Sequence, residues 1–236
     1  MSDLVDQLDT YYRAQGIHPL DFRCGSLDSC SEGCNNFTEA KAPLIGEHYG
    51  DPIRVVVVSL DPGFGRAAPE ERTFEAARAR QTPEWTAALH KGRHAYRMRE
   101  TVSALLSHFD VLVAPEMVYQ RFAHVNAAKC TQNLPGNKQA PAHMYRNCRR
   151  YLEGELTILA PHVIITLGKK AAKPLESWRR TGRESAIEVG GQPAYWLELV
   201  HPTARGGAYV SEREEWSRLF ARARRWVESQ DAEVER

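Results

Sequence analysis

Four short runs of apolar, mostly β-branched residues constrain the fold of this chain more than any other feature. They lie at residues 53–59, 122–126, 163–167 and 195–200. IRVVVVS and VIITL have the composition of strands that are buried on both faces of a parallel sheet. Apolar residues at helical spacing lie at the start of the chain, in NCRRYLEGELTILA and near the C-terminus. The alternation predicts an α/β domain with a four-stranded, mainly parallel sheet flanked by helices.

We expect one domain over residues 1–230, followed by a solvated tail over 231–236. Hydrophobic residues make up 42% of the chain, which provides a core and excludes wholesale disorder. The formal net charge is only +1, so a nucleic-acid surface has to be a local patch. Such a patch is predicted in a basic helical insertion over 75–116, although a solvated helix face explains the same charges.

The sequence gives no sign of a membrane or export segment. Its first residues, MSDLVDQLD, are acidic where a signal peptide is basic and apolar. The longest apolar run covers residues 55–60 and is too short to span a bilayer. We therefore expect a cytoplasmic protein without a membrane partner, and a monomer.

Polar residues follow three of the predicted strands. Asp61 lies in SLDPG after the first strand, Asn126 ends the second, and His201 follows the fourth in HPT. Ligands of open α/β sheets bind at the carboxyl ends of the strands. The three side chains therefore predict a functional site at that edge.

The cysteines suggest a metal site rather than a disulfide framework, since their number is odd and no export signal precedes them. Cys130 and Cys148 have seventeen residues between them. This spacing fits a zinc ribbon poorly and an iron–sulfur cluster better. Five unrelated thiols, or a zinc-stabilised binding domain, are the alternatives. The five are Cys24, Cys30, Cys34, Cys130 and Cys148.

Taken in order, several motifs over about residues 24–205 resemble the uracil-DNA glycosylase superfamily, in particular its iron–sulfur members. The motifs are SLDPG (59–63), a phenylalanine at 74, HVNAAKC (124–130) followed by PGN and Cys148, LG (167–168) and HPT (201–203). The chain departs from the family pattern at Ser59, where glycine is usual, and in the wider spacing of its N-terminal cysteines.

The resemblance implies hydrolysis of the bond between a flipped-out base and its sugar. Asp61 would stabilise the sugar cation and orient water, and His201 would donate to O2 of the departing pyrimidine. Asn126 would read the edge of the base, with Phe74 or Phe64 stacked on it. Each residue taken alone is equally compatible with a turn, a strand end or the core, but their common edge favours function.

The resemblance also suggests DNA contacts. Arg205 would be the side chain inserted into the base stack, and Gly206 would allow close approach to a phosphate. Lys129, just before Cys130, and Lys138, in the loop between the last two cysteines, would bind phosphates. An exposed turn without a partner is the alternative for the RGG segment.

A structural [4Fe–4S] cluster is the implied cofactor, held partly by the segment 24–34. Cys130 and Cys148 are the expected ligands, joined by two of Cys24, Cys30 and Cys34. No lysine in the motifs is an obvious Schiff-base nucleophile, so the prediction is a monofunctional enzyme that leaves an abasic site.

Two other functions compete with excision of uracil or a related pyrimidine. The same chemistry could act on a bulky modified pyrimidine, such as glucosylated hydroxymethylcytosine of phage DNA, in antiviral defence instead of DNA repair. A catalytically silent iron–sulfur module that binds DNA is the third reading, although it would not need Asp61, Asn126 and His201 together.

Overall fold

The computed structural model describes residues 2–34, 36–63, 67–90, 94–132, 140–178, 184–204 and 207–234. The strands in these ranges are β1 (Ile17–His18), β2 (Asp21–Phe22), β3 (Phe37–Thr38), β4 (Leu44–Ile45), β5 (Val55–Ser59), β6 (Ala123–Asn126), β7 (Thr131–Gln132), β8 (Val163–Leu167), β9 (Glu184–Val189) and β10 (Gln192–Leu199). The α-helices are α1 (Ser2–Ala14), α2 (Leu27–Ser31), α3 (Phe74–Ala79), α4 (Pro83–Ala87), α5 (His94–Ser107), α6 (Ala142–Leu159), α7 (Lys169–Ala172) and α8 (Ala208–Val234). Short 3-10 helices cover Pro69–Arg72, Pro115–Gln120 and Lys173–Trp178.

A six-stranded mixed sheet forms the centre of the described structure, in the order β4-β6-β5-β8-β10-β9. The four predicted strands are its parallel centre, with β5 between β6 and β8, and β8 beside β10. The prediction of only four strands was wrong at both edges, where β4 and β9 run antiparallel to their neighbours. β4 has two residues, and β9 alternates buried and exposed positions, so neither carries a long apolar run.

Side chains of the central strand enter two separate cores because successive residues of a strand point to opposite faces. Val56 and Val58 belong to the core that includes residues of α1 and α6. Val55 and Val57 belong to the core that includes residues of α5 and α8. All five residues of β5 are buried, so its carboxyl end is held firmly from both sides.

The range 75–116, predicted as a basic helical insertion, contains α4, α5 and most of α3, and it is not only a surface feature. Met98, Val102 and Leu105 of α5 are buried in the second core. The predicted C-terminal tail differs as well, because α8 continues to Val234. The apolar face of α8 packs against the sheet as far as Val227. The helix continues beyond this last buried apolar residue, where the sequence shows no apolar pattern.

A small antiparallel pair, β3 with β7, joins the N-terminal segment to the chain after β6. Thr38 is in register with Thr131, which places the N-terminal segment beside the sheet edge where the site was predicted. No helix in the described ranges is long and apolar enough to cross a membrane.

Candidate active site

The carboxyl ends of β5 and β6 are aligned by strand register. Ser59 lies opposite Asn126, and the pairing continues when the amides of Ala127 and Ala128 donate to the carbonyls of Ser59 and Leu60, both at 2.8 Å. The chain therefore delivers the residue after Leu60, which is Asp61, to the same edge as Asn126.

Asp61 is held by three hydrogen bonds. Its Oδ1 accepts from the amide of Gly63 at 3.0 Å and from the hydroxyl of Thr131 at 3.2 Å. Its Oδ2 accepts from the amide of Ala140 at 2.9 Å, just before α6. Burial raises the pKa of the carboxyl group, and the three donors oppose that rise. The donors from Thr131 and Ala140 lie outside the turn that contains Asp61, so its carboxylate is held in one orientation and does more than cap that turn.

Asn126 is 7% exposed, and its side-chain oxygen is buried without a hydrogen-bond partner in the described structure. A buried acceptor left unpaired costs about 1–3 kcal/mol. Such groups are rare in folded proteins and mark places where a ligand or water completes the bonding. Asn126 is thus prepared to accept a hydrogen bond from outside the protein.

His201 follows β10 and is fixed by the turn that comes after it. The amide of Thr203 donates to its Nδ1 at 3.2 Å, and the Thr203 hydroxyl lies 2.9 Å from the same atom. Nδ1 is therefore an acceptor, which puts the proton of the neutral ring on Nε2. Burial lowers the pKa of His201, so the neutral form with an Nε2–H donor prevails near pH 7.

Gly168, at the end of β8, makes room for this imidazole. Its φ is +93°, and an added Cβ would lie 3.0 Å from Cβ of His201. Its amide donates to the carbonyl of Leu199 at 2.7 Å, which joins the ends of β8 and β10. The LG motif therefore has a steric role beside the histidine.

Two further histidines, which sequence reasoning did not assign to the site, gather around Ser59. The Ser59 hydroxyl lies 2.8 Å from Nε2 of His124 and 3.5 Å from Nε2 of His94. The His94 ring also lies 5.1 Å from that of His201, centroid to centroid. Burial, with a smaller effect of His201, lowers the pKa of His94 to about 4. The one sign of these histidines in the sequence was Ser59, which stands where the family usually has glycine and whose hydroxyl they contact.

The family model of the Uracil DNA glycosylase superfamily matches residues 47–222, which is more than half of the chain. The chain belongs to this superfamily. Its members are DNA glycosylases, hydrolases that act on DNA, and the matched range contains Asp61, Asn126 and His201. No curated protein matches the chain. The N-terminal cysteines lie before residue 47, so the match does not address the iron–sulfur branch.

The two aromatic candidates for base stacking have different outcomes. Phe74 is 5% exposed and packs edge-on against Tyr12 at 5.3 Å in the first core. The structure therefore gives Phe74 a packing role and does not bring it to Asp61 or Asn126. Phe64 lies outside the described residues.

The prediction that Lys129 binds DNA is wrong. Its side chain is 1% exposed and forms an ion pair with Glu155, which is fully buried. Its Nζ also donates to the carbonyl of Asn126 at 2.6 Å. A lysine with these partners cannot reach a phosphate. Lys138, Arg205 and Gly206 lie outside the described residues.

The basic insertion is used partly for internal contacts. Arg97 donates to the carbonyl of Pro202 and lies over the ring of Tyr209. Arg99 donates to the carbonyl of Thr86 at 2.9 Å. Arg97 therefore stabilises the HPT turn and Arg99 stabilises α4, so the charge count overstated the surface available to DNA.

Four of the five cysteines line one small cavity: Cys24, Cys30, Cys130 and Cys148. Cys34 is not in that lining. No disulfide joins the five. Asn147 donates to the sulfur of Cys30, and the amide of Lys129 to that of Cys148, both at 3.3 Å. Within the described ranges, no three His, Cys, Asp or Glu side chains converge on a point that would hold a single metal ion.

Proposed function

We propose that the protein is a monofunctional DNA glycosylase that hydrolyses the N-glycosidic bond of a flipped-out uracil or related pyrimidine and leaves an abasic site. One observation supports this most directly: three strand ends present Asp61, Asn126 and His201 at one edge, each with an unused bonding position. In a protein that shares the fold but has no activity, the unpaired buried side-chain oxygen of Asn126 would cost stability without serving a function.

Asp61 is proposed to act on the water and the sugar. A carboxylate offers about four lone-pair positions, of which three are occupied, so one position on Oδ2 remains for the attacking water. As the C1′–N bond breaks, the negative charge of Asp61 stabilises the cationic sugar. The water adds its hydroxyl to C1′, and its remaining proton ends on the departing base.

His201 is proposed to stabilise the leaving base. Negative charge develops on O2 of the pyrimidine as its bond to the sugar breaks. The Nε2–H of neutral His201 can donate to that oxygen because Nδ1 is committed to Thr203. A neutral donor fits this role, since a full positive charge would have to be sustained in a partly buried site.

Asn126 is proposed to select the base. Its unpaired oxygen fits the N3–H of uracil, while its amide group can donate to O4. Cytosine presents an acceptor at N3 and a donor at C4, which would oppose this side chain on both positions. The orphaned oxygen therefore favours a uracil-like edge over an unmodified cytosine.

We further propose that Cys24, Cys30, Cys130 and Cys148 hold a [4Fe–4S] cluster and that Cys34 is not a ligand. Four sulfurs around one cavity match the donor set of such a cluster. Burial raises the pKa of Cys148 to about 11, and that of Cys130 rises for the same reason with the neighbouring cysteines adding to it. Four thiolates there need positive charge, which a cluster supplies. Its role would be to tie the N-terminal segment to the loop after β6.

The function is tested with end-labelled oligonucleotides that carry uracil, hypoxanthine, hydroxymethylcytosine or glucosylated hydroxymethylcytosine, in single and double strands. Hot alkali converts abasic sites into strand breaks. We expect breaks at uracil, and a single-turnover rate reduced at least about a hundredfold in Asp61→Asn. The exposed Asp21→Asn is the matched control and should keep the wild-type rate.

Other outcomes discriminate the competing functions. Breaks confined to the glucosylated base would replace uracil as the substrate and favour a defence role. No breaks on any substrate, with DNA binding intact, would leave a silent binding module. Trapping of a covalent enzyme–DNA adduct by borohydride would contradict the monofunctional mechanism.

A further inference from the structure

A cavity of about 380 Å³ adjoins the site on the side of Asp61. Pro62, the next residue in the chain, is part of its lining, as is Thr38. Thr38 is in register with Thr131, whose hydroxyl donates to Asp61. The cavity therefore lies near Asp61, which is not itself part of the lining, and is framed by the N-terminal segment.

Three cations line this cavity, Lys41, Arg72 and Arg80, against the carboxylate of Glu71. That carboxylate already accepts from the amide of Ala68 at 3.0 Å. Lys41 has no hydrogen bond or ion pair with another described residue. The lining therefore carries an excess of positive charge that the described protein groups do not balance.

Arg72 is ion-paired with Glu39 but keeps one unused hydrogen-bond donor. Its side chain is 6% exposed, and it donates to the carbonyl of Ala40 at 3.2 Å and to Glu39 at 3.4 Å. Its Nε, however, is buried without a partner in the described structure. An unpaired buried donor is unfavourable on its own. Lys41 lines the same cavity, and an anion bound there would pair with its charge.

We infer that Lys41, Arg72 and Arg80 form a phosphate-binding site that holds a backbone phosphodiester beside the extruded nucleotide. Arginine matches phosphate oxygens with a planar fork of donors, and lysine adds a mobile point charge. The position beside Asp61 suits this ligand, because the sugar attacked there is linked to phosphates on both sides. Burial and the charge of Arg80 lower the pKa of Lys41, and a bound phosphate would reverse that effect.

This inference depends on the proposed function only for the identity of the ligand, so binding is tested apart from excision. The affinity of wild-type protein for a fluorescent duplex with a tetrahydrofuran abasic analogue is measured by anisotropy from 50 to 300 mM KCl. Lys41→Gln and Arg80→Gln are compared with the exposed controls Lys173→Gln and Arg225→Gln. Arg72 is left intact because its bonds to the main chain support the fold.

We expect each cavity variant to weaken binding about tenfold at low salt and to reduce the slope of log affinity against log salt by about one. Neutral methylphosphonates are then placed singly at the phosphates around the analogue. One position should weaken the wild type but add nothing in Lys41→Gln, because both changes remove the same contact.

Several results would overturn the site. Full additivity at every methylphosphonate position, or controls that lose as much affinity as the cavity variants, would show that no backbone phosphate is bound there. Stabilisation by inorganic phosphate that depends on Lys41, without any effect on DNA affinity, would assign the cavity to free phosphate compounds instead. Excision of uracil by the same preparations decides the proposed function separately, whichever binding result is obtained.

Discussion

Removing the ammonium group of Lys129 is expected to destabilise the protein more than an ordinary lysine substitution. Lys129 and Glu155 are 1% and 0% exposed, and Glu155 also accepts from the hydroxyl of Tyr12. Lys129→Met keeps the apolar stem but leaves a buried carboxylate with one neutral donor. Breaking a buried ion pair on one side costs about 3–5 kcal/mol of unfolding free energy.

That loss is large against the total stability of about 5–15 kcal/mol that is usual for a domain. Urea unfolding followed by circular dichroism at pH 7.5 should show a midpoint lower by about 1–2 M. Lys173→Met, at an exposed position, is the control and should stay within about 0.5 kcal/mol of the wild type.

The double variant Lys129→Met with Glu155→Gln separates the lost pair from the stranded charge. Glutamine is neutral and still accepts from the Tyr12 hydroxyl, so we expect the double variant to recover at least half of the loss. A single variant that loses less than about 1 kcal/mol would refute the reasoning. So would a double variant that is less stable than Lys129→Met.

Three further predictions concern the imidazoles and the cysteines. Gly168→Ala should slow single-turnover uracil excision at least about tenfold without weakening DNA binding, while Gly191→Ala, also at positive φ but with nothing within 4 Å of an added Cβ, should lose stability alone. Because burial lowers the folded pKa of His94 to about 4, below its usual 6.5, its contribution to stability is complete above pH 6.5 and is lost as the pH falls toward 4. The pKa values of His124 and His201 are lowered as well, so urea unfolding should show a decline of which His94 accounts for at most about 3 kcal/mol. His94→Gln should remove that share, and equal slopes in the variant and the wild type would exclude this source. Cys130→Ser should abolish the visible absorbance of anaerobically purified protein and Cys34→Ser should leave it intact; the reverse pattern would reject the ligand assignment.

The sequence alone was sufficient for the centre of the fold. Runs such as VVVV and VIIT are typical of strands buried on both faces of a covered parallel sheet, and the polar residues that follow such strands meet at one edge. The prediction of Asp61, Asn126 and His201 as neighbours rested on that topology, and the register sets Asn126 opposite Ser59, two residues before Asp61. The edge strands β4 and β9 were not predicted because a short or half-exposed strand contains no long apolar run.

The tertiary structure decided which basic residues can meet a ligand and which histidines share the site. Lys129 and Lys41 look alike in the sequence, yet one neutralises Glu155 in the core and the other lines a cavity beside Pro62. His94 reaches Ser59 across thirty-five positions of the chain. Charge and hydrogen bonding depend on the distance and burial of groups that are remote in sequence. A one-dimensional pattern records hydrophobic period and strand ends, but it does not record those contacts.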